Sequence, residues 1–280
     1  MTVLTPTRLD DALRALAEDP STTVLAGGTD LMVGVNAGER RPGRVLSLRH
    51  LDELRTWRRE GDDLVIGAAT TYATLLHPEL AALAPGLAQA ARTVGSPQIR
   101  NTGTIGGNLG TASPAGDTLP VLAALDARLE LASATGRRTI ALDHFVVGPK
   151  ATSLAPGELL VSVRIPAASG PQEYLKIGVR NAMVIAVASC ALVVDRTRQR
   201  VTCALGSVGP VPIRDRRTEA WLSSQVDWRI VQVRNATVPE RFGMHMASAA
   251  RAIDDHRAPA GYRRHAVSVL ARRAVERALT

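Results

Sequence analysis

The sequence predicts an α+β protein in which a two-lobed N-terminal domain is followed by a small α+β domain with a three-stranded antiparallel sheet plus helices. Three observations carry this. Over residues 1–55 strand-length apolar runs alternate with helical periodicity, which points to a small parallel sheet. Over residues 56–168 short strands are joined by turns, which points to mainly antiparallel pairing. Beyond the segment Pro166-Ala167-Ala168-Ser169-Gly170-Pro171, which reads as a linker, three strands precede a run of helices. The expected division is 1–168, with lobes of about 1–55 and 56–168, and then 172–280.

In chain order, Thr7 ahead of Leu9, Ala12, Leu13, Leu16 and Ala17 predicts a capped amphipathic helix with Asp10 and Asp11 in its first turn. A strand at Thr23 to Ala26, a short helix at Leu31 to Val35 and a strand at Arg44 to Leu48 complete the first lobe. A hairpin turning at Gly61-Asp62-Asp63 opens the second lobe, and helices at Thr71 to Leu76, Pro78 to Leu83 and Pro85 to Val94 follow, two of them opening on proline. After a glycine-rich stretch, a helix at Thr118 to Leu125 leads to strands at Arg128 to Ala132, Arg137 to Ala141 and Glu158 to Ile165. The C-terminal region reads as strands at Tyr174 to Val179, Ile185 to Asp195 and Arg200 to Val208. Helices at Arg214 to Ser223, Asp227 to Val233, Gly243 to Asp255 and Gly261 to Leu279 then close the chain.

With 280 residues, 45% of them hydrophobic but only 3% aromatic, the chain has material for a sizeable core that Ala, Leu and Val must fill. The net charge of +8 is carried by arginine, since Lys150 and Lys176 are the only lysines. Those arginines are scattered and lack interleaved aromatics, so the pattern is not that of a nucleic-acid groove. Cys190 and Cys203 give neither a disulfide framework nor a zinc pattern, and two cysteines do not hold an iron–sulfur cluster. They read as reduced, buried thiols of a cytoplasmic protein. No stretch has the length of a membrane span, and acidic residues occupy the first twenty positions where a signal peptide is apolar.

Two glycine-rich stretches carry the candidate chemistry. One is Ala26-Gly27-Gly28-Thr29-Asp30-Leu31, where a strand turns into a helix whose first N–H groups suit an anion. The other runs from Gly95 to Asp117, and its glycine density makes it a poor helix and a poor strand; such a run fits backbone that a phosphate-bearing ligand can touch. Neither stretch reads G-x-G-x-x-G or G-x-x-x-x-G-K-[ST], so the usual dinucleotide fold and phosphate loop are excluded.

The motifs A-G-G-T-D-L at 26–31, S-P-Q-I-R-N-T-G-T-I-G-G-N-L at 96–109 and A-G-D at 115–117 together resemble the FAD-binding (medium) subunit of the molybdenum hydroxylases, the family of carbon monoxide dehydrogenase and xanthine dehydrogenase. Later matches at Pro156 to Val161, Lys176 to Arg180, Tyr262 to Arg264 and Leu270 to Ala274 extend the resemblance over nearly the whole chain. It implies a two-lobed FAD domain of the vanillyl-alcohol-oxidase/PCMH type. It also implies that Ala26, Gly27, Gly28, Thr29, Asp30 and Leu31 wrap the pyrophosphate from one lobe while Thr104, Ile105, Gly106, Gly107 and Asn108 approach from the other. Thr104 would supply a hydroxyl and the glycines bare N–H groups. Asp117 is implied as an acceptor for ligand hydroxyls, against its alternative as the cap of the following helix. Val94 and Leu160 match positions lining the flavin, and Lys176 sits either beside the flavin ring or, alternatively, on a solvated strand edge.

Where several relatives carry Gly-Asp-Tyr-Ala, this chain has Val179-Arg180-Asn181-Ala182-Met183, so a different group covers that face of the ring. No histidine tether accompanies the Gly-Gly turn, so FAD is expected to bind non-covalently. The implied role is electron transfer. An iron–sulfur (small) subunit and a molybdenum (large) subunit are the expected partners, in a dimer of heterotrimers, and they carry the iron–sulfur clusters and molybdenum cofactor that this chain lacks. Arg251, Arg257, Arg263, Arg264, Arg272, Arg273 and Arg277 on the C-terminal helices are candidates for docking them, and a solvated helix face is the alternative. A self-sufficient FAD oxidoreductase and a non-catalytic nucleotide-binding protein are the competing readings.

Overall fold

The computed structural model describes residues 1–280. The chain begins with β1 (Thr2–Leu4), α1 (Leu9–Glu18), β2 (Thr23–Leu25), α2 (Leu31–Asn36) and β3 (Arg44–Ser47). β3 lies between β1 and β2 and pairs with both in parallel, as the alternation of strand and helix requires. Helix α1 buries Leu9, Ala12, Leu13 and Leu16 against this lobe. Thr7 does not cap it: the Leu9 N–H donates instead to Glu53 Oε1 at 3.0 Å, so a carboxylate from a distant turn replaces the local hydroxyl.

The second lobe starts with the hairpin β4 (Trp57–Glu60) and β5 (Asp63–Gly67), whose turn places Gly61 at a φ of +62°. Helices α3 (Tyr72–Leu75), α4 (Pro78–Leu83), α5 (Pro85–Thr93), α6 (Pro97–Thr102), α7 (Ile105–Thr111) and α8 (Thr118–Ala124) follow. The glycine-rich stretch therefore forms two short helices, contrary to the reading of it as irregular backbone. Ser96 and Thr104 accept hydrogen bonds from the Ile99 and Gly107 N–H groups, and Pro97 opens the first turn of α6. Local caps and tight packing outweigh the propensity cost of glycine here. Strands β6 (Arg128–Ser133) and β7 (Gly136–Ala141), then α9 (Leu142–Phe145), β8 (Val146–Gly148), β9 (Ala151–Thr152) and β10 (Leu159–Pro166), complete the lobe. Its antiparallel sheet has the order β4-β5-β10-β6-β7. A bulge between Leu160 and Ser162 shifts the register of β10. Leu159 and Val161 face the α1 layer, while Leu160, Val163 and Ile165 face the main core.

Residues 167–171 are pinned rather than free. The Ala168 N–H donates to the Leu83 carbonyl, Ser169 Oγ donates to Asp195 Oδ1, and a side chain on Gly170 would overlap the Val194 carbonyl. Beyond them β11 (Gln172–Ile177), β12 (Ala188–Asp195) and β13 (Arg200–Gly206) form an antiparallel sheet. Alternation along its strands gives it two buried faces. Tyr174, Ala191, Val193 and Ala204 join the core of the preceding lobe, whereas Cys190, Leu192, Val194, Cys203 and Leu205 face the C-terminal helices. Both thiols are free and fully buried.

The helices are α10 (Arg216–Ser224), α11 (Val238–Ala249) and α12 (Ala260–Leu279). Residues 227–233 form no helix. The Asp227 carboxylate accepts from its own turn at the Arg229 N–H, Val231 is left-handed at a φ of +57°, and Val226 pairs with Val233. Helix α11 begins earlier than expected, with Pro239 in its first turn, and stops before Arg251, whose N–H is taken by the Val208 carbonyl. Arg263 is also misplaced by a surface reading. It is 3% exposed and donates to the carbonyls of Val187 and Ser207 and to Asp255, so it fixes α12 to the sheet and is no part of a docking face.

Helices α11 and α12 cross at Gly243, where an added Cβ would overlap the Ser268 carbonyl oxygen. In an open helix Gly→Ala gains up to about 1 kcal/mol. Here overpacking costs about 1–3 kcal/mol and sets the sign. Gly243→Ala is therefore expected to lower the urea midpoint of unfolding; an unchanged or raised midpoint would show that the crossing is looser.

Candidate functional site

The two glycine stretches meet. Gly27 leads out of β2 with its backbone against Thr102 and Gly103, and an added Cβ would overlap the Thr102 carbonyl oxygen. Gly28, at a φ of +75°, then turns the chain into α2. Opposite, Gly106 packs on Ala68 so closely that a side chain would overlap the Ala68 carbonyl. The space between these loops is a cleft of about 500 Å³, within the range of ligand pockets.

Ala26, Gly27, Gly28, Thr29, Asp30 and Leu31 line one wall, and Thr104, Gly106, Gly107 and Asn108 line the other. Val94, Asp117 and Leu160 also reach the cleft. Ile105 does not: it is fully buried beneath α7 and acts as an apolar anchor for that wall. Lys176 does not line the cleft either. Several lining residues went unnoticed in the sequence, four of them with chemistry to offer. Arg40 and Lys150 bring cations to the rim, Tyr72 brings a buried ring, and Ile185 comes from the segment before β12. Lys150 had one available signal, as one of only two lysines.

The walls differ in what they offer. None of the backbone N–H groups of Gly27, Gly28, Thr29, Asp30 and Leu31 donates a hydrogen bond within the chain. On the second wall the Ile105 N–H donates to the Thr70 carbonyl, the Gly106 N–H to the Ala68 carbonyl and the Gly107 N–H to Thr104 Oγ1 at 2.9 Å. Bare amides therefore belong to the first loop alone; on the second, Gly103 and Gly106 serve close packing and Gly107 leaves the gap open. The Thr104 hydroxyl, accepting from Gly107, keeps its own proton for another acceptor. A run of free amides with two rim cations suits a diphosphate, whose oxygens accept from several donors at once.

Asp117 closes the far end. Its side chain makes no cap to α8; Tyr174 Oη donates to its Oδ1 at 2.7 Å and Lys176 Nζ to its Oδ2 at 2.8 Å. Lys176 Nζ also donates to the Thr93 carbonyl at 3.1 Å. Lys176 is thus neither a solvated edge residue nor a lining group: it lies behind Asp117, with 7% and 9% of the two side chains exposed. Burial raises the Asp117 carboxyl above its ordinary range, against the pull of Lys176 and Tyr174. Burial first, and then the charge of Asp117, hold the Tyr174 phenol far above its usual value.

The chain is similar to known proteins over nearly its whole length. The family model described as the FAD binding domain in molybdopterin dehydrogenase matches residues 1–168. The CO dehydrogenase flavoprotein C-terminal domain matches residues 173–278. The glyceraldehyde dehydrogenase medium chain of Sulfolobus acidocaldarius is 31% identical over 271 residues, covering 95% of this chain and 94% of that one. The carbon monoxide dehydrogenase medium chain of Afipia carboxidovorans is 32% identical over 260 residues, 91% and 88% of the two chains. Among solved structures, carbon monoxide dehydrogenase from Hydrogenophaga pseudoflava superposes with a TM-score of 0.88 at 28% identity, covering 99% of this chain and 96% of that one.

The Asp117–Lys176 pair generates a test. Lys176→Met leaves a buried carboxylate without its cation, which costs about 3–5 kcal/mol. The double variant Asp117→Asn/Lys176→Met removes both charges and is expected to recover most of that loss in denaturant titrations. The pH dependence has a definite sign. A carboxyl raised in the folded state holds its proton when the unfolded chain has released it at about 3.9, so stability falls as pH rises through that window. Losing Lys176 raises the carboxyl further and extends the fall to higher pH. A Lys176→Met protein with wild-type stability at neutral pH would contradict the buried pair.

Proposed function

The chain belongs to the family of FAD-binding medium subunits of the molybdenum hydroxylases, and on that premise we propose that it is an electron-transfer flavoprotein subunit binding one FAD non-covalently in the cleft between its glycine loops. The observation that carries this reading is the run of free amides from Gly27 to Leu31 facing Thr104, Gly106, Gly107 and Asn108 across a gap that side chains leave open. FAD, when bound, supplies redox chemistry that side chains alone lack, accepting and releasing electrons one or two at a time.

The residues of this chain hold and shape that cofactor. Amides of residues 27–31 take the pyrophosphate, with Arg40 and Lys150 adding charge at the rim and the Thr104 hydroxyl donating from the other wall. Asp30 is an acceptor at the same loop, where Arg40 offsets its charge from 3.9 Å. Asp117 accepts from ligand hydroxyls with whatever lone pairs Tyr174 and Lys176 leave free. Val94, Leu160 and Ile185 give the apolar surface for the ring system. Lys176 acts on the site through Asp117. Leu31 and Asn108 complete the two walls, and Ile105 holds the second from below.

We assign residues 1–168 to the cofactor domain, with lobes of about 1–55 and 56–168, and residues 172–280 to the C-terminal domain; the spans of the two family models support this division. Electrons arrive from an iron–sulfur (small) subunit, a molybdenum (large) subunit oxidises the substrate, and an outside acceptor drains the flavin. The complex is a dimer of heterotrimers. No helix is long and apolar enough to cross a membrane. Two free thiols support a cytoplasmic setting.

Acid precipitation of the purified chain is expected to release its yellow colour into the supernatant at one FAD per chain; colour kept in the pellet would contradict non-covalent binding. Gly107→Val tests the cradle. Gly107 has an ordinary helical φ, so the substitution acts through space: an added Cβ lies 3.0 Å from Thr104 Oγ1 and 3.6 Å from the Ala26 Cβ, inside the gap between the loops. The variant is expected to stay folded and lose roughly tenfold or more in FAD affinity. Full flavin occupancy in that variant would remove the second loop from the site.

A further inference from the structure

A second cavity, of about 820 Å³, lies away from the flavin cleft and shares no lining residue with it. It opens where the start of β5, the C-terminal end of β10, the start of β6 and helix α9 meet the β12–β13 turn and the segment before α10. Its floor is apolar: half-buried Ala123, Pro166, Val211 and Pro212 face the cavity over buried Leu125, Leu142, Val146 and Ile165. Its walls carry Arg128, Arg164, Arg198, Arg200, Arg214 and Arg216 against Asp63, Asp126 and Asp143. We propose that this cavity is a second binding site, for a small amphipathic anion: a phosphate or carboxylate group carried on an apolar body.

The arginines divide into a frame and a set of free heads. Arg214 is 11% exposed, ion-paired with both Asp126 and Glu219 and donating to the Ala123 carbonyl at 2.8 Å. Arg200 pairs with Asp126 at 2.9 Å, and Arg164 with Glu60 at 2.5 Å. These three fix the geometry of the walls. The other three are available. Arg128 forms no side-chain hydrogen bond or ion pair in the chain. Arg216 is 66% exposed and 3.8 Å from its nearest carboxylate, Asp143. Arg198 is 57% exposed and gives only its Nη1 to Asp195, at 2.9 Å, leaving its other guanidinium donors unused.

A planar guanidinium offers two parallel donors that match the oxygens of carboxylate or phosphate, and arginine is the side chain suited to bind either. The lining carries six arginines against three aspartates, and Glu60, Asp195 and Glu219 behind it neutralise Arg164, Arg198 and Arg214, so the charge left to meet an anion is that of Arg128 and the loosely held Arg216. The volume falls in the range of small-molecule pockets and is too small for a folded partner. The apolar lining gives the class its second half, because an inorganic anion alone leaves the half-buried Ala123, Pro166, Val211 and Pro212 uncovered by the ligand. Arg128 stands on β6 of the five-stranded sheet, while Arg198 and Arg216 flank β13 and α10 on the other side. An anion held by both groups bridges the two sheets from the side opposite the Asp117–Lys176 contact.

Calorimetric titration of the flavin-loaded chain at low ionic strength tests this, with inorganic phosphate, phenyl phosphate and benzoate as probes. Phenyl phosphate is expected to saturate one site roughly tenfold more tightly than inorganic phosphate, because the ring covers the floor. Benzoate, with one fewer charge, is expected to bind the same site more weakly. The double variant Arg128→Ala/Arg216→Ala is expected to weaken phenyl phosphate binding roughly tenfold or more, with flavin content and melting temperature unchanged. Arg229→Ala, on an exposed arginine elsewhere, is the control expected to bind as wild type. The same titration on the Gly107→Val chain separates this site from the flavin reading: binding persists there whether or not FAD is lost. Absence of saturation, equal affinity in the double variant and the control (an adventitious ion only), or abolition of binding by Gly107→Val would each overturn the proposal.

Discussion

The contact on which the site depends is one between two backbones. Gly27 from the first lobe lies against Thr102 and Gly103 from the second with no room for a side chain between them. That approach brings the free amides of residues 27–31 to face α7, and it requires glycine because any Cβ separates the loops. A cavity-lining role and a packing role are therefore divided among neighbours. Gly27 and Gly106 let backbones touch, Gly28 turns the chain, and Gly107 keeps the gap open. The amides that remain unpaired are a consequence of this crossing, since residues 27–31 reach neither a strand partner nor a preceding helical turn.

A second coupling sets the C-terminal region against the same cleft. Tyr174 and Lys176 come from β11, and Asp117 heads α8, so one buried carboxylate ties the two together. The sheet that carries β11 is covered on both faces, by the lobe core on one and by α11 and α12 on the other, and Arg263 fastens α12 to it. Through this chain of contacts Ile185 and the segment before β12 are held at the cleft. The ion pair is costly to bury and stabilises mainly by specificity of placement, since a pair of apolar side chains of similar volume can be equally stable.

Most elements were legible because their signals were local. Proline at the starts of α4 and α5, the Gly61 turn and the amphipathic stripe of α1 each follow from residues within a few positions. The parallel sheet and the three-stranded sheet followed from the order of their strands. What failed was decided at a distance. Glu53 rather than Thr7 satisfies the start of α1, and close packing on Ala68 and Tyr72 lets glycine-rich 97–111 become helical. The two-residue strands near 226 and 233 depend on a pairing too short to read in advance. In the site, the glycine motifs named both walls, but which wall keeps its N–H groups free is set by Thr70, Ala68 and Thr104, and the sequence alone does not reveal that. Lys176 was marked without its partner, and Arg40 was missed because an arginine among thirty-four basic residues carries no signal of its own.

On this account the flavin is filled by a partner subunit and not by an organic substrate acting on this chain. No group of three or more His, Cys, Asp or Glu side chains is placed to hold a metal ion, and the cleft combines free amides and apolar groups with Asp30, Arg40, Asp117 and Lys150. The most direct measurement is anaerobic absorbance of the isolated, FAD-loaded chain mixed with candidate substrates, alone and with its iron–sulfur and molybdenum partners. The account predicts an oxidised spectrum that persists in the isolated chain and bleaches when the partners are added. Rapid bleaching without them would contradict it and make the chain an oxidoreductase in its own right.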